Sequence, residues 1–286
     1  MKNKAALYLR TLLNRYHEGS ADTLLAFLPE EEKNSVANIN TTCEEPSQAL
    51  RSAAERMSPI HLSWFEPILE SIPADIRPFF VASMPESHAS VYCSTREIPQ
   101  KQLPLFIKDY FATKLLQKLQ GAEEVLPNAF LPVTSFHQLT SFNRTQLTSL
   151  IMCLSIHDLS EELRHIVDQK ILKAVYDCLT PGEQQYLRYC MHQKEKLVLP
   201  RLGLDRWNGD CQKLKHVLHS RGILRLGKGL SGEHPYFLWH LAHRFDRARG
   251  VYLMKNYQPK SIPGISPLLA QQVVNIINNV IKKDKV

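Results

Sequence analysis

The feature that most constrains this chain is a succession of segments with apolar residues at three- and four-residue spacing, nearly all bounded by proline or glycine. The clearest lies near the end. Ser266-Pro267 reads as cap and first helical position, and Leu269, Val273, Ile276 and Val280 follow at spacings of four, three and four. Ile277 and Ile281 widen that stripe, and Lys282 and Lys283 sit where a helix dipole favours cations. The same reading places a helix over Leu7, Leu9, Leu12, Leu13 and Tyr16 that ends near Gly19, and another opened by Asp22 and stopped by Pro29. Further helices fall at about Pro46–Met57 and Leu105–Leu119, the second stopping at Gly121. The predicted fold class is all-α.

The C-terminal half carries the strongest periodicity. Phe136, Leu139, Leu147, Leu150, Ile151 and Leu154 share a face, and Asp158 or Ser160 is placed to cap a following helix through Leu163, Ile166, Val167, Ile171, Leu172 and Val175. Thr180-Pro181-Gly182-Glu183 has the residues of a capping box with proline at the first position. After a turn over Arg201–Asp210, a helix bearing Leu214, Val217 and Leu218 is read to end at Gly222, and one opened by Pro235 to close at Gly250. One strand is expected, at Ala89-Ser-Val-Tyr-Cys-Ser, without a partner.

Val125-Leu-Pro-Asn-Ala-Phe-Leu-Pro-Val reads as a hinge, which divides the chain into an N-terminal helical region, 1–125, and a C-terminal helical domain, 126–286. Within the first, Leu24-Leu25-x-x-Leu28-Pro29 aligns with Ile68-Leu69-x-x-Ile72-Pro73 at an offset of 44 residues, and Glu31 and Asp75 follow. The pair is either a repeat-like architecture or two unrelated helices that each stop at proline.

Charge is uneven. Residues 187–260 contain fifteen Lys or Arg against five Asp or Glu, a formal +10, in a chain whose total is +7; the remainder is therefore about −3. Such a stretch calls for an acidic partner: a protein face, a membrane surface or nucleic acid. A helix-turn-helix reading of 207–228 is weakened because its basic residues alternate with core leucines. No apolar run approaches the ~18–20 residues of a membrane span. The start of the chain reads as a first helix rather than a signal peptide. Six cysteines without a CxxC pair lead to the expectation of a reducing cytosol.

No phosphate loop, dinucleotide fingerprint, zincin helix or nucleophile elbow occurs, so no enzyme, catalytic, cofactor-binding or metal-ligand assignment is made. Gly227-Lys228-Gly229 reads as a loop glycine pair. His216-x-x-His219 and His240-x-x-His243, with Cys211 nearby, have same-face spacing but lack the knuckles that structural zinc favours; His157, Glu161 and His165 read as a solvated face. The candidates that remain belong to a protein interface. Arg201, Arg206 and Trp207 lie in one turn, where Trp207 is either an anchor for a partner or a plug for its own core. Arg244 and Arg247 share a helical face that is either a basic patch or plain solvent face. The last helix either packs internally or docks on a partner.

Two resemblances give these candidates a context. Ile223-Leu-Arg-Leu-Gly-Lys-Gly-Leu-Ser-Gly, Trp239-His-Leu-Ala-His-Arg-Phe-Asp and Pro267-Leu-Leu-Ala-Gln-Gln-Val-Val resemble the SctK family over about residues 200–284. The abundance of His, Cys and Ser looks chlamydial. That resemblance implies a cytoplasmic adaptor of a type III secretion sorting platform. Such an adaptor has no substrate and links an SctD-like basal-body ring to SctQ-like platform components, peripheral to the inner membrane through protein contacts. A weaker resemblance is to the flagellar motor switch protein FliG. It rests on the two Leu-Pro elements and on Phe136-His-Gln-Leu-Thr-Ser-Phe-Asn-Arg-Thr-Gln-Leu leading to Leu159-Ser-Glu-Glu-Leu-Arg. Glu233-His234-Pro235 matches three residues of that family's Glu-His-Pro-Gln motif, with Tyr236 in place of Gln, which implies Glu233, His234 and Pro235 as interface candidates. The alternatives are a basic nucleic-acid-binding regulator and a FliG-like scaffold outside secretion.

Overall fold

The computed structural model describes residues 3–17, 20–39, 51–99, 101–121, 125–193, 197, 200–204 and 207–279. The fold is all-α: among the described residues 69% are helical and no strand occurs. The described helices, in order, are α1 (Asn3–Tyr16), α2 (Ala21–Leu25), α3 (Glu30–Ala37), α4 (Ala53–Met57), α5 (Glu66–Glu70), α6 (Arg77–Ala82), α7 (Glu86–Arg96) and α8 (Leu105–Gln120). They continue as α9 (Arg144–Leu163), α10 (Gln169–Cys178), α11 (Pro181–Met191), α12 (Cys211–Gly229), α13 (Pro235–Arg244), α14 (Arg247–Asn256) and α15 (Ser266–Asn279). No helix among the described residues is long and apolar enough to cross a membrane. By contact, the chain forms two compact units: Met1–Val133 with His243–Arg247, and Thr134–Ala242 with Ala248–Val286.

In the first unit α1 packs on α3, and Ala6, Leu13, Leu25 and Val36 form one small core. Helices α4, α5 and α6 pack on α8. Val125, Phe130 and Leu131, expected in a hinge, are buried, and the Phe130 ring lies 5.1 Å from that of Tyr8. Residues 243–247 are held here as well. The His61 N–H donates to the His243 carbonyl at 2.8 Å, the Trp64 indole N–H to the Phe245 carbonyl at 2.9 Å, and Trp64 stacks on the His243 ring.

Three expectations for this unit are corrected. Asp22, read as a cap, lies inside α2, which Ser20 precedes. The segment expected as a strand is part of α7, because Ala89, Tyr92 and Cys93 are buried together at helical spacing. The helix expected at Pro46–Met57 is only the short α4, capped by a Ser52–Glu55 box; Gly19 and residues 40–50 lie outside the described residues. The chain also continues differently after the two aligned prolines. Glu30 opens α3 directly after Pro29, whereas the Pro73 carbonyl first accepts the N–H groups of Ile76 and Arg77 in a turn.

In the second unit α9 is central, with α11, α12 and α15 packed around it. Asn143 and Gln146 cap its start reciprocally. It then runs unbroken through Asp158 and Ser160, which were expected to cap a separate helix. The break comes later, and Asp168 caps α10 through the Lys170 N–H at 2.8 Å. Thr180 and Glu183 form the expected capping box. Gly222, expected to end a helix, is buried inside α12, which continues to Gly229; Gly227 and Gly229 are likewise helical rather than a loop pair. A Cβ on Gly222 would stand 2.0 Å from the Ile151 carbonyl oxygen. The absent side chain thus lets α12 and α9 approach to backbone contact. A Cβ on Gly227 would meet α14 at Asn256 and Leu253, and one on Gly229 would meet α15 at Leu269.

Ser266 is not a cap. Its hydroxyl donates to the Lys228 carbonyl and accepts the Ile262 N–H, tying α15 to α12. Leu269, Val273, Ile276 and Ile277 are buried, so the described part of the last helix packs internally; residues 280–286 lie outside the described residues. Against the expectation of reduced thiols, Cys178 and Cys211 form a disulfide, while Cys93, Cys153 and Cys190 are buried outside it.

Candidate interaction surface

The basic stretch is positioned by a turn that a single carboxylate organises. Glu162, buried on α9, accepts the N–H groups of Leu202, Gly203 and Leu204 at 3.1, 2.9 and 3.2 Å. Three successive amides around one charge form a strong, charge-assisted site, so the approach to α12 is held from below. Arg221 reaches back from α12 to the carbonyls of Pro200 and Arg201, and Asp210 caps α12 through the Gln212 and Lys213 N–H groups.

Against this frame the sequence candidates separate. Arg201 is exposed. Arg206 lies outside the described residues, as do Lys194 and Lys196. Trp207 plugs its own core: it packs against the cluster that holds Leu159, Leu214 and Leu218, and its indole N–H donates to the Asp210 carbonyl at 3.0 Å. Glu233 is half-buried, and burial raises its carboxyl above the usual range although a hydrogen bond with Thr134 opposes this. Its carbonyl accepts the Tyr257 hydroxyl at 2.6 Å, which fixes the corner before α13. His234 is exposed, accepts the Tyr236 N–H on Nδ1, and titrates below the ordinary imidazole range through partial desolvation. Pro235 opens α13.

Arg244 and Arg247, expected on one helical face, are not on one helix. Arg244 closes α13, Arg247 opens α14, and the Arg247 N–H donates to the Ser63 hydroxyl at 2.8 Å. Arg244 is half-buried and desolvation lowers its pKa; Arg247 is exposed. These two arginines belong to the first unit, and Arg201, Trp207, Glu233, His234 and Pro235 to the second.

Residues singled out less sharply by sequence now carry the exposed charge. Lys213, Lys215 and His216 stand exposed along α12 while Leu214 and Leu218 are buried, and Arg188 is exposed on α11. The alternation that weakened a nucleic-acid reading is this inside–outside pattern of α12. Arg225 in the same run is spent internally. It is fully buried, with Nε and Nη2 donating to Asp158 Oδ1 at 3.0 and 2.5 Å and Nη1 to Gln272 Oε1 at 2.7 Å. Among the described residues no group of three His, Cys, Asp or Glu is arranged to hold a metal ion. A cleft of about 190 Å³ on the same unit is lined by His157, Tyr186, Tyr189, Gln271, Gln272 and Asn275, with no Asp, Glu, Lys or Arg among its lining residues. Its Tyr186 hydroxyl meets His157 Nε2 at 3.0 Å, and burial pushes the phenol up, out of the titrating range.

No family profile, curated protein or solved structure matches the chain.

Proposed function

We propose that the chain is a non-enzymatic adaptor of a type III secretion sorting platform, using the exposed cations of α12 to meet an acidic face of an SctD-like or SctQ-like component. The supporting observation is the surface of α12, where Lys213 and Lys215 project from a helix locked to its own unit by Gly222, Arg225 and the Glu162-held turn. Fixed cations on a rigid helix steer an acidic partner and set its register more than they add raw affinity. The resemblance over residues 200–284 supplies the identity of that partner. The test is binding of the purified chain to the cytoplasmic domain of an SctD-like ring protein and to an SctQ-like protein. Lys213→Glu with Lys215→Glu is expected to weaken one of these by roughly tenfold, mainly through association rate. Failure to bind either, together with tight and salt-steep binding to duplex DNA, would overturn the reading in favour of a nucleic-acid regulator.

A further inference from the structure

The start of α8 carries an apolar tip that its own unit does not cover. The stripe that buries Ala112 and Leu116 continues back by whole turns to Leu105, seven and eleven residues earlier, where the side chain is 73% exposed. Phe106 beside it is 74% exposed, and Tyr110, one turn on, is 58% exposed. An apolar residue in core register with no core over it is a different matter from a lone surface leucine.

The tip is rooted in the core through aromatic rings. Tyr110 meets Phe111 edge-on at 5.4 Å, and Phe111 packs on Phe79 and on the buried Phe80 at 5.7 and 4.9 Å. Two lysines lie on the rings next to it. Lys101 Nζ sits 4.7 Å over the Phe79 ring and Lys114 Nζ 5.7 Å over that of Tyr110. With Lys108 and Lys118, residues 101–120 hold four lysines against one acid, Asp109. This concentration stands in the half of the chain that is net acidic outside the basic C-terminal stretch.

We propose that this tip inserts into the interfacial region of an anionic lipid bilayer. Two observations favour lipid over a folded protein partner. The tip's two most exposed apolar residues, Leu105 and Phe106, are adjacent at the first turn of a helix, so the exposed surface is concentrated at its end rather than spread along its length as a groove-bound helix would have it. The cations of residues 101–120 are all lysine, whose compact ammonium suits a diffuse anionic surface, whereas arginine suits the fixed geometry of a carboxylate pair. The proposal does not rest on the secretion reading, because it concerns a different surface.

The test is co-sedimentation of the full chain with vesicles of phosphatidylglycerol and phosphatidylcholine, compared with phosphatidylcholine alone. Binding is expected only to the anionic vesicles and is expected to weaken with salt. Leu105→Ser and Phe106→Ser are each expected to lower the partition coefficient by roughly tenfold, with an unchanged circular dichroism spectrum because both side chains already face solvent. Lys101→Glu with Lys114→Glu is expected to remove binding at physiological salt. Lys213→Glu with Lys215→Glu, on the other unit, is expected to leave it unchanged. The proposal is overturned if the wild-type chain ignores anionic vesicles, if the serine variants bind as well as wild type, or if the α12 variant is the one that loses binding. It is equally overturned if the tip instead drives self-association, seen as a concentration-dependent dimer that the serine variants abolish.

Discussion

Arg225 is fully buried, and one oxygen of Asp158 takes two of its N–H groups while Gln272 takes a third. A buried pair of this kind adds little net stability over an apolar replacement, but removing one partner strands a charge. Asp158→Leu is therefore expected to destabilise the chain by about 3–5 kcal/mol, and Asp158→Leu with Arg225→Met to recover most of that loss, both read as urea midpoints. Asp158 was misread from sequence as a helix cap because an acid ahead of Ser160, Glu161 and Glu162 has a cap's local signature. Its real partner is 67 residues away, beyond any local pattern. His88 gives a residue-scale test with pH. Burial and the neighbouring His61 hold its imidazole below the ordinary range, against a backbone hydrogen bond with Ile60. The unfolded chain then takes up the proton first, so this histidine's contribution is complete above the unfolded imidazole pKa and is lost as pH falls toward the folded one. His88→Gln is expected to flatten the decline in stability between about pH 7.5 and 5.5 that the wild-type chain shows in urea melts.

At the scale of elements, some helix ends were legible, at the Thr180 capping box and at Gly121, which stops α8 as read, and others were not, at Gly222 above all. Thr180-Pro181-Gly182-Glu183 forms the capping box that its residues imply, since every atom involved lies within four positions. Gly222 and Gly227-Lys228-Gly229 look like ends or loops in a one-dimensional reading. In space they mark the places where α12 touches α9, α14 and α15. The opposite consequences of adding a methyl group separate these roles. Gly222→Ala places a Cβ against the Ile151 carbonyl and is expected to cost about 3 kcal/mol or more, since a backbone atom cannot step aside as a side chain can. Gly182→Ala, on the open first turn of α11 with nothing within 4 Å, is expected to stabilise by about 0.5 kcal/mol through the unfolded chain. Thermal melts of the two variants check both signs.

For the whole molecule, the helical class followed from periodicity, but the formal charge of residues 187–260 overstated their surface. Arg225 is consumed by Asp158, Arg221 holds two carbonyls, and Arg244 is half-buried, so the exposed Arg188, Arg201, Lys213, Lys215, Arg247, Lys255 and Lys260 are the better measure of what a partner meets. Cysteine spacing misled in the same way. Cys178 and Cys211 stand 33 residues apart without a motif, yet α10 ends where α12 begins, with Cα atoms 5.2 Å apart. The bond closes the α11 segment and the Glu162-held turn into one loop, which removes configurations from the unfolded chain. By the loop-closure argument a crosslink of this span stabilises by about 3–4 kcal/mol. Cys178→Ser with Cys211→Ser is expected to lower the urea midpoint by a corresponding amount, and reduction of the wild-type chain to do the same. Alkylation of the unfolded, unreduced chain checks the premise directly. Cys178 and Cys211 are expected to escape alkylation, read by peptide mapping, and labelling of both would remove the crosslink from the account of how α12 is held.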